Sequence, residues 1–262
     1  QISDSFTIDN QVPDITIFTV LNPVIGSGDT ANDRAWFNID STGTLEFRWG
    51  VNDDDLLRAS LVNVPGPSTP PNDGPSSISY GWDWASGNME EGTWNPRITV
   101  YDNSGLTATE TIFIGIDRTG PSLGTITVGD GSGWYDSSTV TISGLVSSAD
   151  DGQGCGLDYI EISTDGTTWI STTSDNYDLT LLEGANSVSV RAVDNIGNTG
   201  PTTQLNVQID TTNPEEVGWI VEQITTDRTG TVPIEFSAVD YTSGIDNVAS
   251  YIEYGFDSNG VG

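Results

Sequence analysis

The chain has 262 residues, two domains' worth or slightly more at roughly 100–150 residues each, and its 38 Asp and Glu against 7 basic residues leave a net charge of −31. Such a surface repels phosphate backbones and anionic lipid headgroups, so nucleic-acid and membrane-surface binding are excluded as functions. All 7 basic residues are Arg and His is absent, which removes Ser-His-Asp and Cys-His catalysis, His-ligated zinc, Schiff-base lysines and phosphate-loop lysines.

Apolar residues make up 35% of the chain and charged residues 17%; the rest is mostly Ser, Thr, Asn and Gly. Thr, Ile, Val, Trp and Tyr fit a pleated, half-buried surface, so the chain reads as all-β. Period-2 alternation between turn residues then marks the strands in chain order. The first module gives strands over 44–51, 56–64, 78–84, 94–101 and 107–116, with a Pro/Gly/Ser-rich insertion at 65–75. The second gives 122–128, 138–146, 157–163, 168–173, 177–182, 187–194 and 202–209. A third begins with 217–224 and 232–239 and stops near 249–255.

Internal similarity organises these strands. Ile-Asp-x-x-x-Pro occurs at Ile8-Asp9…Pro13, Ile116-Asp117…Pro121 and Ile209-Asp210…Pro214, at spacings of 108 and 93 residues. Within each interval a Glu-Gly pair (Glu91-Gly92, Glu183-Gly184) lies ten residues, Gly to Asp, before Asp102-Asn103-Ser104-Gly105 or Asp194-Asn195-Ile196-Gly197. Around Ala238-Val239-Asp240 the sequence repeats the pattern of Ala149-Asp150-Asp151, so the third copy is about half present. The organisation expected is two complete immunoglobulin-like β-sandwiches, 1–117 and 118–210, and a partial third, 211–262. With no leader-like segment at Gln1 and a half-copied third unit, the chain reads as a piece of a longer array.

The Asp-x-x-x-Pro linkers, the Val-x-Asp-Asn-x-Gly turns and the half-copied unit resemble the tandem immunoglobulin-like repeats of prokaryotic surface proteins. The stretch 92–107 is also similar to the end of polycystic-kidney-disease (PKD) and cadherin-like modules. The resemblance implies a large modular protein, secreted or attached to the cell surface, in which such units serve as stalks, adhesive stems or surface-layer components. The proline-rich insertion departs from that pattern.

The topology expected of such a sandwich brings three segments to the pole where its first strand enters. At the first pole these supply Asp9, Asp53-Asp54-Asp55 and Asp102-Asn103; at the second, Asp117, Asp150-Asp151 and Asp194-Asn195; at the third, Asp210 and Asp240. Carboxylates and amide carbonyls from several loops are the oxygen-rich donor set that Ca²⁺ takes, and a cation would relieve their mutual repulsion. The cadherin-like resemblance implies the same device, metal at the junction stiffening the array. Turn chemistry is the competing reading, because Asp-Asn-x-Gly turns form without metal and acids here are common everywhere. No EF-hand spacing occurs.

Tyr80, Trp82 and Trp84 alternate on one strand and Trp94 begins another; they read either as core or as an exposed platform for sugar rings. Trp36, Trp49, Trp134, Trp169 and Trp219 are scattered as core residues would be. Cys155 lies in a Gly-rich acidic loop with no cation to lower its pKa, so it reads as a small loop residue. Glu90-Glu91 and Asp53-Asp54-Asp55 offer carboxylates, but nothing separates their roles as a glycosidase requires. The function expected is therefore non-catalytic and structural: a spacer in an extracellular or cell-surface protein. Its partners would be neighbouring modules, with other surface proteins or polysaccharide as further candidates. A carbohydrate-binding module and an accessory region of a secreted hydrolase are the alternatives.

Overall fold

The computed structural model describes residues 9–39, 43–65, 80–85, 90–221 and 234–245, with the backbone alone described over 80–85, 216–221 and 234–236. Among these residues every regular element is a strand, and none forms a helix able to cross a membrane.

The first sandwich contains β1 (Asp14–Val20), β2 (Ala35–Phe37), β3 (Thr44–Asn52), β4 (Leu56–Val62), β5 (Tyr80–Ala85), β6 (Gly92–Trp94), β7 (Arg97–Asp102), β8 (Thr107–Thr111) and β9 (Ile114–Ile116). One face is the antiparallel sheet β1-β3-β5; the other is assembled from β2-β9-β6 and β4-β7-β8. The sequence predicts 94–101 as one strand, and Pro96 explains why it is two. Proline has no N–H for the ladder, and its carbonyl instead accepts the amide of Ile112 (3.0 Å), the residue at which the facing strand also breaks. Strands β1 and β2 are elements that the alternation does not mark.

The second sandwich contains β10 (Ser122–Leu123), β11 (Thr127–Val128), β12 (Trp134–Tyr135), β13 (Thr139–Ser143), β14 (Ala149–Asp150), β15 (Leu157–Ser163), β16 (Ile170–Thr172), β17 (Asn176–Thr180), β18 (Gly184–Asp194) and β19 (Thr203–Ile209). Its sheets are β11-β13-β17 and β12-β19-β18-β15-β16, with β10-β14 as a separate pair. Here the strand with Val188 in place of Pro96 runs unbroken for 11 residues. In each sandwich a short strand adds in parallel to the last one, β2 to β9 and β12 to β19, so the two share one plan. In the third unit β20 (Glu215–Val221) pairs antiparallel with β21 (Ile234–Val239). The expected strand at 249–255 and most of the insertion at 65–75 lie outside the described residues.

Alternation along each strand turns apolar side chains inward. The first core gathers Phe18, Phe47, Leu45, Ile98, Val100 and Ile114; the second gathers Ile142, Ile160, Ile162, Val188, Val190 and Ile209. Among the described residues none belongs to both.

Of the scattered tryptophans, Trp49 is in the first core. Trp134 does not follow the expectation of burial: it lies on the short strand β12 and is 37% exposed. Trp169 stacks on the Arg191 guanidinium at 3.9 Å, and the same arginine pairs with Glu161 at 2.6 Å.

Candidate cation sites at the sandwich poles

At the first pole Asp9 comes from the entering chain, Asp55 from the turn between β3 and β4, and Asp102 from the end of β7. Each offers a carboxylate oxygen, and the three oxygens lie within 4.8 Å of one another. Asp53 does not join them; its Oδ1 accepts the Asp55 amide at 2.9 Å and shapes the turn. Asp54 is exposed. Asn103 ties the loops together, its backbone N–H (3.1 Å) and its Nδ2 (2.7 Å) both donating to the Asp55 carbonyl.

Asp102 is the most constrained member, only 1% exposed. Its Oδ1 accepts the Ser104 hydroxyl and the Leu106 amide, both at 2.8 Å, while its Oδ2 is buried without a hydrogen-bond partner. A buried carboxylate oxygen left unpaired is costly, and such atoms call for a partner. Burial works to raise the Asp102 pKa, but the Ser104 hydroxyl and the amides of Leu106, Gly105 and Ser104 outweigh it and hold the group below its ordinary value. Asp102 is therefore a carboxylate, not an acid. Asp55 is pushed the other way, up to about 6, by partial burial, by its contact with Asp53 and by the charges of Asp9 and Asp102. The pole is a place of carboxylate repulsion.

At the second pole Asp117, Asp151 and Asp194 converge in the same way, joined by Cys155. Burial raises Asp151 to about 6, with the charges of Asp117, Asp194 and Asp150 adding to it and the Gly156 amide opposing. Yet these carboxylates are occupied. Asp117 Oδ2 accepts the Cys155 amide (2.8 Å), Asp151 Oδ2 the Gly156 amide (2.6 Å), and Asp194 Oδ1 the amides of Ile196 (2.9 Å) and Asn198 (2.8 Å). Asp194 Oδ2 accepts Asn198 Nδ2 at 2.7 Å. Gly154 lets the loop close this tightly, since a Cβ there would overlap the carboxylates of Asp151 and Asp117. Asp150 is exposed and caps Gly152 N–H at 2.8 Å. Asn195 repeats the clasp of Asn103, its Nδ2 donating to the carbonyls of Cys155 and Gly156, both at 2.9 Å. The Cys155 thiol is driven up to about 12, by burial first and then by the Asp194 charge, so it is no nucleophile.

At the third pole Asp210 Oδ2 and Asp240 Oδ1 both accept the Ser243 amide, at 3.0 and 3.2 Å. Ser243 occupies the position before Gly244 that Cys155 occupies before Gly156, and its amide repeats the bond from Cys155 to Asp117. Side-chain contacts with Ser243 come first among the causes that lower Asp210 to about 2.

Two features escaped the sequence reading. Glu91 accepts the Arg118 amide at 2.6 Å, and Glu183 accepts the Thr211 amide at 3.0 Å, so the Glu of each repeated Glu-Gly pair fastens the following linker. Their matching register was the available signal. Asn198 was the other: it is buried, and its Oδ1 accepts Asn38 Nδ2 of the first sandwich at 2.5 Å. Beside the second pole a cleft of about 400 Å³ opens between Glu91–Gly92 and the 150–154 loop, with Glu91, Asp117, Asp150 and Asp151 on its walls.

The aromatic alternative fares differently at its two parts. Trp94 is half-buried and packs against the first core. Backbone register sets Tyr80, Trp82 and Trp84 opposite Trp49, Phe47 and Leu45, all buried; the side chains of these three lie outside the described residues.

No protein-family model and no curated protein matches the chain. Among solved structures it is similar to the fibronectin(III)-like modules of Clostridium thermocellum CbhA, with 14% identity over 74% of this chain and 95% of that one, at a TM-score of 0.31. It is also similar to part of a 1.5-MDa bacterial ice-binding adhesin, with 17% identity over 90% of this chain and 78% of that one, at a TM-score of 0.42. The human desmocollin-1 ectodomain aligns at 12% identity over 79% of this chain and 38% of that one, at a TM-score of 0.33.

Proposed function

We propose that this chain is a non-catalytic structural segment of a modular extracellular or cell-surface protein. Its units are 1–117, 118–210 and 211–262, and a bound Ca²⁺ at the first pole fixes the entry of the chain. The observation that carries the metal is Asp102: a carboxylate 1% exposed, with Oδ2 unpartnered, grouped with Asp9 and Asp55. An oxygen-only donor set from three separate loops suits a hard cation such as Ca²⁺ better than a thiophilic or imidazole-seeking metal. Held by Asp9, Asp55 and Asp102, the ion would supply the positive charge that these groups lack. It would also join the entering chain to the sandwich.

The setting is supported by composition. Lysine-free, strongly acidic surfaces hold hydration and stay soluble when salt screens weaker charge. A spacer role is supported by the repeated plan of the two sandwiches and by linkers fastened through Glu91 and Glu183.

Melting the chain in EDTA and in about 1–5 mM CaCl₂, against MgCl₂ at matched ionic strength, tests the reading. A site filled 100-fold above its Kd adds about 2.7 kcal/mol. A calcium-specific rise in Tm that Asp102→Asn abolishes is the expected result. An equal rise with any salt, or none, would leave the acids as solvating groups and withdraw the site.

A further inference from the structure

The two poles repeat in sequence but not in chemistry. Asp102 and Asp194 end corresponding strands, and each accepts through Oδ1 the amide four residues on, from Leu106 (2.8 Å) or Asn198 (2.8 Å). Each also donates its own amide to the carbonyl of that residue, both at 3.1 Å. The loops diverge at that fourth residue. The Leu106 side chain offers its neighbour carboxylate no polar atom, and Asp102 Oδ2 is left buried and unpartnered. Asn198 donates Nδ2 to Asp194 Oδ2 at 2.7 Å.

We propose that the Asn198 side-chain amide takes the place of a cation at the second pole, so that of these two poles only the first is calcium-dependent. Nδ2 satisfies the carboxylate oxygen that a cation would otherwise bind, while backbone amides engage both oxygens of Asp117 (Thr119 at 3.3 Å, Cys155 at 2.8 Å), Asp194 Oδ1 and Asp151 Oδ2. The same side chain reaches across the junction. Asn38 Nδ2 donates to Asn198 Oδ1 (2.5 Å), forming a relay from Asn38 through Asn198 to Asp194 that joins the first sandwich to the second without metal. A neutral amide can accept and donate at once, which a cation cannot. The chain thus carries one cation-dependent and one cation-independent pole on the same scaffold. This rests on the calcium reading of the first pole, and the test keeps the two apart.

Calcium bound per full chain would be counted by equilibrium dialysis for the wild type, Asn198→Leu and Asn198→Asp. The first variant installs the residue of the first loop. The second keeps the size of the side chain while exchanging the donor for a carboxylate. Both variants are expected to bind one calcium more than the wild type and to melt lower in EDTA, with the loss recovered in calcium. A variant that folds only in calcium is the same result in its extreme form. Asp102→Asn is expected to bind one fewer, and its failure to do so would remove the first-pole reading while leaving the Asn198 comparison intact. Unchanged counts in both Asn198 variants, or variants that fold in neither condition, overturn the proposal. So does loss of a calcium from the Asp194→Asn chain, which would show the second pole already filled.

Discussion

Asp165 sits in the turn that leads from β15 to β16, where its Oδ1 accepts the amides of Thr168 (2.6 Å) and Thr167 (2.7 Å) and the Ser163 hydroxyl (3.0 Å). These donors, led by the Thr168 amide, hold the carboxyl well below the ordinary range. A depressed carboxyl contributes stability that is present above its unfolded pKa of about 3.9 and is lost as pH falls toward the folded value. Asp55 and Asp151, pushed up to about 6, act with the opposite sign, since their ionisation on raising pH opposes folding. Comparing the wild type with Asp165→Asn cancels them. The wild type should melt higher at pH 7, and the gap should close as pH falls below about 4. A gap that stays constant to pH 2 would remove the assignment. At this scale the recurring Ile-Asp and Asp-Asn markers pointed to Asp9, Asp102, Asp117 and Asp194, but nothing in the sequence separated Asp55 from Asp53 and Asp54, or Asp151 from Asp150. Nor did the sequence show which were already satisfied. That depends on one side chain, Asn198 against Leu106, four residues beyond the marker, and on amides whose direction only the folded loop sets.

Among the elements, the pairing of β2 with β9 shows what period-2 alternation cannot reveal. Trp36 on β2 lies over Gly115 on β9, and a Cβ at Gly115 would overlap the indole ring. Both residues lie in three-residue strands, too short for a pattern to stand out, and a lone Gly between Ile114 and Ile116 reads as a flaw rather than a seat. Gly115→Ala should therefore destabilise by about 1–3 kcal/mol, the usual cost of overpacking. Adding Trp36→Leu should restore part of that loss, giving a non-additive pair in chemical denaturation. Additive effects would mean that the ring is not what the new methyl meets. Strands such as β3 and β7 are legible because burial alternates along them, whereas seven-residue β1 hides because its first four positions are exposed or half-exposed. The break at Pro96 follows from its missing donor, although the sequence reading carried one strand across it.

Across the whole molecule, the two described cores share no residue, and the hydrogen bonds described between the sandwiches include Asn38 to Asn198, the Ile39 carbonyl accepting Arg118 Nη1 at 3.2 Å, Glu91 on Arg118 and Thr119, and Asp117 accepting the Cys155 amide. Hydrogen bonds of this kind contribute about 1 kcal/mol each, far less than a core, so each sandwich should unfold largely on its own. Calorimetry of the intact chain should resolve more than one transition. Phe47 is fully buried in the first core, and Phe47→Ala should cost about 3–5 kcal/mol. In a unit of about 100 residues that lowers one transition by at least about 12 °C. Ile162→Ala, with a cost of about 2–5 kcal/mol, should lower a different one. The charge of −31 acts on all of them: added NaCl screens the repulsion and should raise every transition together. Calcium should raise only the transition that Phe47→Ala lowers, because Asp9, Asp55 and Asp102 belong to that sandwich. The bridge itself can be read from Asn38→Ala. Removing the donor leaves Asn198 Oδ1 without its partner across the junction and should lower the second transition slightly while leaving the calcium increment of the first unchanged. If Phe47→Ala and Ile162→Ala instead shift one common transition, the polar bridge couples the cores far more tightly than its bonds account for, and the sandwiches unfold as a single unit.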